Sequence, residues 1–148
     1  MIQINCETDF VAKTEVFKKG AKAFFHTLES ADDINIELNQ MNSDSVKQLM
    51  LNRQLTTSLD PDLKQMTGSE GLTFLISKTR ENCTIGSVFR KQLDGERLFG
   101  SYLHNKSEDY MGKLGALVIV NGAKSGKIAE ALAMHITAMR PTYISKDK

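Results

Sequence analysis

The feature that most constrains this fold is a change in the spacing of apolar residues at about Cys83. Upstream of it, apolar residues recur three or four positions apart, which predicts amphipathic helices. From Cys83 to Leu93 they alternate with polar residues, which predicts a strand. Helical spacing returns after Ser125. Strands that are grouped together between helices are typical of α+β proteins rather than of α/β proteins.

The predicted strands follow one another through short connections, so we expect a small three-stranded antiparallel sheet packed with helices. Asp94-Gly95 is the predicted turn between the first two strands, and the polar segment from Asn105 to Tyr110 is the predicted link to the third. These three strands are predicted at 83–93, 97–104 and 112–121, and a separate strand-like run at 2–6 precedes the first helix. The helices are predicted at about 8–28, 44–54, 69–82 and 125–139.

Composition excludes several classes of protein. The chain has 148 residues, of which 41% are apolar and 25% charged, as expected for a globular domain. A net charge of +1 gives no reason to expect a nucleic-acid or membrane partner. Cys6 and Cys83 have no metal-binding or redox spacing, so we expect a reducing compartment. The sequence predicts neither a metal site nor a cofactor.

Enzymatic chemistry has little support in the sequence. The chain has three histidines, but no catalytic triad or dyad can be assigned to them. His135 is in register with apolar residues of the last predicted helix, so we expect it to be packed or partly buried. His104 ends a predicted strand and is the histidine expected to be exposed. The run Gly122–Ile128 lacks the spacing and the hydroxyl residue of a phosphate-binding loop, so we interpret it as a strand-to-helix turn.

The stretch Thr8-Asp9-Phe10 allows two interpretations. Thr8 is a plausible N-cap, and Asp9 suits the positive end of a helix. Phe10 follows the same helical stripe as Phe17 and Phe24, which favours a core aromatic. Alternatively, the first turn protrudes and presents Asp9 and Phe10 to a partner, as an aromatic interface anchor with a neighbouring charge would. The residue pattern alone leaves both open.

The run "INCETDFVAK" resembles the signature of the elongation factor Ts family. "GSYLH", "GKLGALVIV" and "ALAMHITAMRP" follow in the order and with roughly the spacing of that family. The resemblance implies an α+β fold and assigns residues 1–148 to a single core subdomain, the N-terminal half of the family's core. It also leads us to expect that an upstream module resembling a ubiquitin-associated domain and a second core subdomain are absent.

The resemblance also implies a function, which is nucleotide exchange on elongation factor Tu and not an enzymatic reaction. The implied partner is elongation factor Tu in its GDP-bound and nucleotide-free states, with no direct nucleic-acid or membrane contact. In the family, a helix tip intrudes beside the magnesium and phosphate site of the partner. The matched partner-binding residues here are Thr8, Asp9, Phe10, Val11, Thr79, Arg80 and His104.

Two departures from the family pattern affect these expectations. Arg80 stands where members commonly carry a glycine, which removes a close backbone approach and can change a partner contact. The connection over 105–111 is longer than in typical bacterial members and is similar to that of mitochondrial ones. We therefore expect a mitochondrial matrix protein, with the bacterial cytoplasm or a plastid as alternatives. A different function is also open, namely a truncated or degenerate interaction domain that binds a partner without exchange.

Overall fold

The computed structural model describes residues 1–37, 40–56, 61–93, 95, 97–122 and 124–143. Its contacts group the chain into two compact units, Met1–Gln92 and Leu93–Lys148. The first unit contains strands β1 (Ile2–Asn5) and β2 (Thr84–Val88) and helices α1 (Asp9–Ala12), α2 (Glu15–Glu29), α3 (Asp44–Asn52), α4 (Pro61–Lys64) and α5 (Gly68–Thr79). The second contains β3 (Arg97–Glu108), β4 (Met111–Asn121) and α6 (Gly126–Met139).

The α+β class is confirmed, but the predicted three-stranded sheet is wrong. The described residues form two separate two-stranded antiparallel sheets, β1–β2 and β3–β4. β2 pairs with the N-terminal strand, and Ile4 lies opposite Ile85. The N–H of Val88 donates to the carbonyl of Met41 at 2.9 Å, so an irregular segment satisfies a backbone group that a further strand would have used. Short connections favour pairing of consecutive strands, but long-range contacts prevail here.

The predicted first helix is interrupted. α1 ends at Ala12, and α2 begins at Glu15 with Thr14 as its own N-cap, whose hydroxyl accepts from the N–H of Phe17 at 3.3 Å. The interruption removes the common helical register that would have placed Phe10 on the buried stripe of α2. Phe17 and Phe24 are buried in the first unit as predicted.

Helices α2 and α5 form the centre of the first unit. A Cβ atom added to Gly20 of α2 would lie 2.6 Å from Cδ2 of Leu75, so the two helices pack closely and any larger residue at this position would force the Leu75 side chain to shift. Leu75 and Phe24 are completely buried. The starts of these helices follow their capping residues, and Thr67 and Glu70 form a capping box at the start of α5.

The second unit is a long hairpin with one helix packed on it. Met111 lies opposite Glu108, so the predicted polar connection over 105–110 is mostly paired strand, and Asp109 and Tyr110 make the turn. The predicted turn at Asp94-Gly95 includes Asp94, which lies outside the described residues. α6 starts at Gly126, with Ser125 as its N-cap, and ends at Met139 as predicted.

The packing of α6 corrects the expectation for His135. The residues that α6 buries are small: Ala129, Ala133 and Thr137. A Cβ at Gly100 of β3 would lie 2.1 Å from the backbone carbon of Ala129, so helix and strand touch almost backbone to backbone. This close approach turns the larger side chains outward, and His135 is exposed rather than packed. Among the described residues, no helix has both the length and the apolar character needed to cross a membrane.

Candidate partner-binding site

Helix α1 is a four-residue turn that presents one aromatic side chain to solvent. The hydroxyl of Thr8 accepts a hydrogen bond from the N–H of Val11 at 3.3 Å, which makes Thr8 the predicted N-cap. Asp9 occupies the first turn, where the helix dipole favours a carboxylate. Val11 is only 9% exposed and anchors the turn, whereas Phe10 is 82% exposed. The short helix therefore separates an inward anchor from an outward aromatic.

The start of this turn is held by a residue that the sequence did not single out. The carboxylate of Glu81 accepts hydrogen bonds from the N–H of Glu7 at 3.1 Å and from the N–H of Thr8 at 2.9 Å. Its second oxygen accepts from the hydroxyl of Thr8. One acidic side chain thus satisfies three donors of the segment that leads into α1. No periodic or motif signal could have found this contact, because its partners are 73 and 74 residues away.

The same contact brings the end of α5 beside the start of α1. The hydroxyl of Thr79 donates to the carbonyl of Leu75 at 2.8 Å and so closes the last turn of α5. Arg80 follows as the C-cap with φ 59° and ψ 20°, and its N–H donates to the carbonyl of Ile76 at 2.8 Å. The left-handed conformation of Arg80 ends the helix and lets Glu81 turn towards Thr8. α5 thus ends three residues before its predicted limit.

The structure therefore groups six of the seven predicted partner-binding residues around one contact. Thr8, Asp9, Phe10 and Val11 form the tip, and Thr79 and Arg80 flank the glutamate that holds it. His104, the seventh, belongs to the second unit. It is exposed on β3 opposite Leu114, and its ring stacks on that of Tyr102 at a centroid distance of 6.3 Å.

The tip offers an exposed aromatic surface that a partner could cover. A phenyl ring that is exposed in the free protein can bury 150–250 Å² when it enters a partner's pocket, as interface anchors do. A carboxylate lies next to it in the sequence. Within the described part of the chain, no group of three or more His, Cys, Asp or Glu residues is arranged to hold a metal ion.

Comparison with known proteins identifies the family. The sequence model of the family described as Elongation factor TS matches residues 7–148. A relative named Elongation factor Ts, from Dinoroseobacter shibae, is 32% identical over 145 residues. The alignment covers 98% of this chain and 41% of the relative, so the chain spans about two fifths of that protein's length. This chain belongs to the elongation factor Ts family.

Proposed function

We propose that this chain is a guanine-nucleotide exchange factor for elongation factor Tu in translation elongation. In this proposal the tip Thr8-Asp9-Phe10 inserts beside the magnesium and phosphate site of the partner and promotes GDP release. The observation that carries the proposal is the exposure of Phe10, 82%, on a turn whose anchor Val11 is buried. A core aromatic would be covered, whereas an aromatic that enters a partner has to be accessible beforehand.

The rigidity of the tip supports the same mechanism. The tip can displace groups at the partner's nucleotide site only if its own backbone keeps a fixed conformation on binding. The cap of Thr8 on Val11 and the bonds from Glu7 and Thr8 to Glu81 hold the backbone on which Phe10 stands. Such preorganisation also lowers the ordering cost of binding. Thr79 and Arg80 lie next to this contact and would form the edge of the docking surface. His104, in the second unit, would contact the partner separately.

Exchange by this route is a linkage effect and needs no general acid or base. A partner that binds the nucleotide-free state more tightly than the GDP-bound state lowers the affinity for GDP by that ratio. By the same linkage, GDP weakens the binding of the exchange factor. The chain would therefore bind both states of elongation factor Tu and prefer the nucleotide-free one.

The experiment is release of fluorescent GDP from elongation factor Tu, followed with and without the chain. We expect the parent chain to accelerate release, and Phe10→Ala and Asp9→Ala to slow it towards the spontaneous rate. Phe99→Ala is the matched control, because Phe99 is also an exposed phenylalanine, 59% accessible, but lies outside the tip. Equal acceleration of GDP release by the parent and by Phe10→Ala would reject the insertion of Phe10 as the mechanism.

The alternative function is a domain that binds elongation factor Tu without promoting exchange. It would use the same exposed Phe10 for docking, but the contact would leave the affinity of the partner for GDP unchanged. Direct evidence of binding, together with an unchanged rate of GDP release at a saturating concentration of the chain, would support this alternative.

We further propose the mitochondrial matrix as the site of action, with the bacterial cytoplasm or a plastid as alternatives. The support is the likeness of the connection over 105–111 to the longer connection of mitochondrial members. In the structure this segment extends the β3–β4 hairpin, and Lys106 lies opposite Gly112. Fractionation of the source cells, with detection by an antibody to the chain, tests this proposal; recovery in the cytosol would reject it.

A further inference from the structure

The two cysteines flank the last residue pair of β1–β2, since Cys6 follows Asn5 and Cys83 precedes Thr84. In this pair Ile4 faces Ile85 and Asn5 faces Thr84, so the next opposed positions in the same register are Cys6 and Cys83. Both are free thiols. Opposed residues of antiparallel strands have Cα atoms about 4.5 or 5.5 Å apart, and both distances lie within the range that a disulfide spans.

The pair is fixed from both sides. On one side is the last strand pair, Asn5 and Thr84. On the other side, Glu81 binds the N–H groups of Glu7 and Thr8 at 3.1 and 2.9 Å. Both cysteines therefore lie in short segments whose two ends are held together, and no large backbone movement is needed to join the two sulfur atoms.

The local contacts of the two thiols are weak and compatible with a bond between them. The thiol of Cys6 donates to the carbonyl of Thr8 at 3.4 Å, and that of Cys83 donates to the carbonyl of Glu81 at 3.7 Å. Thiols are weak donors, so little is lost when both protons leave.

We propose that Cys6 and Cys83 are a disulfide-forming pair, a modification site that cross-links the segment leading into α1 to the segment following α5. The oxidant is a small disulfide of the glutathione class. The bond would covalently fix the two segments that hold the exposed tip, and it would not involve Phe10 itself. This inference does not rest on the proposed exchange function, because formation of the bond is measured on the chain alone.

The reaction proceeds by two thiol–disulfide exchanges. Cys6 is half-buried and Cys83 is only 1% exposed, so Cys6 is the thiol that meets the oxidant. Its thiolate attacks one sulfur of glutathione disulfide, the S–S bond breaks, and one glutathione leaves. The thiolate of Cys83 then attacks the Cys6 sulfur of the mixed disulfide and releases the second glutathione. The two protein thiols are oxidised, glutathione disulfide is reduced to two glutathione thiols, and the protons pass to those thiols.

The surroundings make this reaction slow at neutral pH. Burial, then the negative charges of Cys83 and Glu81, raises the pKa of the Cys6 thiol. Burial also raises the pKa of the Cys83 thiol. Because the thiolate is the nucleophile, the oxidation is best followed over hours in mildly alkaline buffer, well below the unfolding temperature.

The test treats the folded chain with glutathione disulfide and measures its intact mass without reductant. We expect the parent to lose the mass of two hydrogens, to give a Cys6–Cys83 linked peptide after digestion, and to melt on the order of 10 °C higher. A reductant should reverse all three changes. Retained glutathione on the parent, covalent dimers or an unchanged mass would each overturn the proposal.

Two single variants separate the steps. In Cys83→Ala, the resolving thiol is missing, so Cys6 should keep one bound glutathione. In Cys6→Ser, the remaining thiol is buried, so the mass should stay unchanged. Cys6→Ser replaces a half-buried thiol by a hydroxyl of similar size and is expected to fold. Uptake of glutathione by Cys6→Ser would show that Cys83 is accessible and would contradict the order of steps.

Discussion

The carboxylate of Glu81 accepts a hydrogen bond from the N–H of Thr8 at 2.9 Å and another from its hydroxyl. This contact joins the residue after the end of α5 to the cap of α1 across 73 positions of the chain. The exposed tip therefore depends on a side chain that is not part of it. The contact also explains how a helix of one turn, too short to be stable alone, keeps a fixed position.

We predict that Glu81→Ala destabilises the first unit and loosens the tip. The change removes the acceptor of the N–H groups of Glu7 and Thr8, which are exposed and can bond to water instead, so we expect a loss of about 0.5–1.5 kcal/mol in free energy of unfolding. Glu81→Gln keeps one acceptor oxygen and should fall between the parent and Glu81→Ala. Chemical denaturation gives the free energies, and amide hydrogen exchange at Thr8 reports the local opening.

Glu7→Ala is the matched control for this prediction. It removes a neighbouring carboxylate but keeps the backbone N–H of residue 7, which donates a hydrogen bond to Glu81. We expect its stability to lie within about 0.5 kcal/mol of the parent, as for most exposed substitutions. A loss in Glu7→Ala equal to that in Glu81→Ala would mean that general charge, not the specific contact, supports the tip.

Phe10→Ala should leave stability nearly unchanged. Its side chain is exposed, so truncation removes little buried area and should shift the free energy of unfolding by no more than about 0.5 kcal/mol. Phe17→Ala is the contrasting variant, because Phe17 is 5% exposed in the core and its truncation should cost about 3–5 kcal/mol. Thermal melting of both variants distinguishes them. A large loss in the free energy of unfolding of Phe10→Ala would show that Phe10 is part of the core.

Local signals in the sequence predicted much of the helical structure. The predicted cap Thr8 precedes α1 and accepts from the N–H of Val11, and Ser43 caps α3 in the same way. Such caps are readable because donor and acceptor are three residues apart. The break between α1 and α2 has a similar signal in Thr14-Glu15, a cap followed by an acid. The apolar spacing across 8–28 outweighed that signal, so the residue pattern favoured a buried Phe10 over the exposed one that the structure shows.

The features that position the site depend on contacts between distant segments. β2 pairs with β1 rather than with the next strand, so neither the sheet order nor the opposition of Cys6 and Cys83 follows from local spacing. The hydrogen bonds of Glu81 to Thr8 have the same long-range character. The residues of the tip are predicted only by the resemblance to the family. The carboxylate of Glu81 that holds the tip is not predicted, because no local pattern encodes a contact between such distant residues.

Arg80→Gly should stabilise the chain. Arg80 has φ 59°, a left-handed conformation that costs roughly 1–2 kcal/mol for a residue with a Cβ and little for glycine. Glycine has more freedom in the unfolded chain, and this entropy offsets part of the relief of strain. We therefore expect a net gain of about 1 kcal/mol in the free energy of unfolding. Arg80→Ala keeps the Cβ and should show no such gain. Denaturant midpoints of the three proteins test this prediction, and equal stability of the two variants would contradict it.

The same two variants separate the effect of backbone strain from the effect of charge at the proposed docking surface. If the guanidinium of Arg80 contributes to binding elongation factor Tu, both variants should bind more weakly and by similar factors. If only the backbone conformation matters, Arg80→Gly should bind at least as well as the parent. Calorimetric titration of nucleotide-free elongation factor Tu with each variant measures the difference. Weaker binding by Arg80→Gly alone would contradict both explanations.

Gly100→Ala should destabilise the second unit. The added Cβ would lie 2.1 Å from the backbone carbon of Ala129 and 2.3 Å from the backbone nitrogen of Glu130, and neither atom can rotate away as a side chain could. Helix α6 would have to move off β3, at a cost of about 1–3 kcal/mol or more. Gly126→Ala is the matched control, because no atom lies within 4 Å of the Cβ position there. Amide hydrogen exchange in β3 and α6 should rise in Gly100→Ala and stay unchanged in Gly126→Ala; unchanged protection in both would contradict the close packing of α6 on β3.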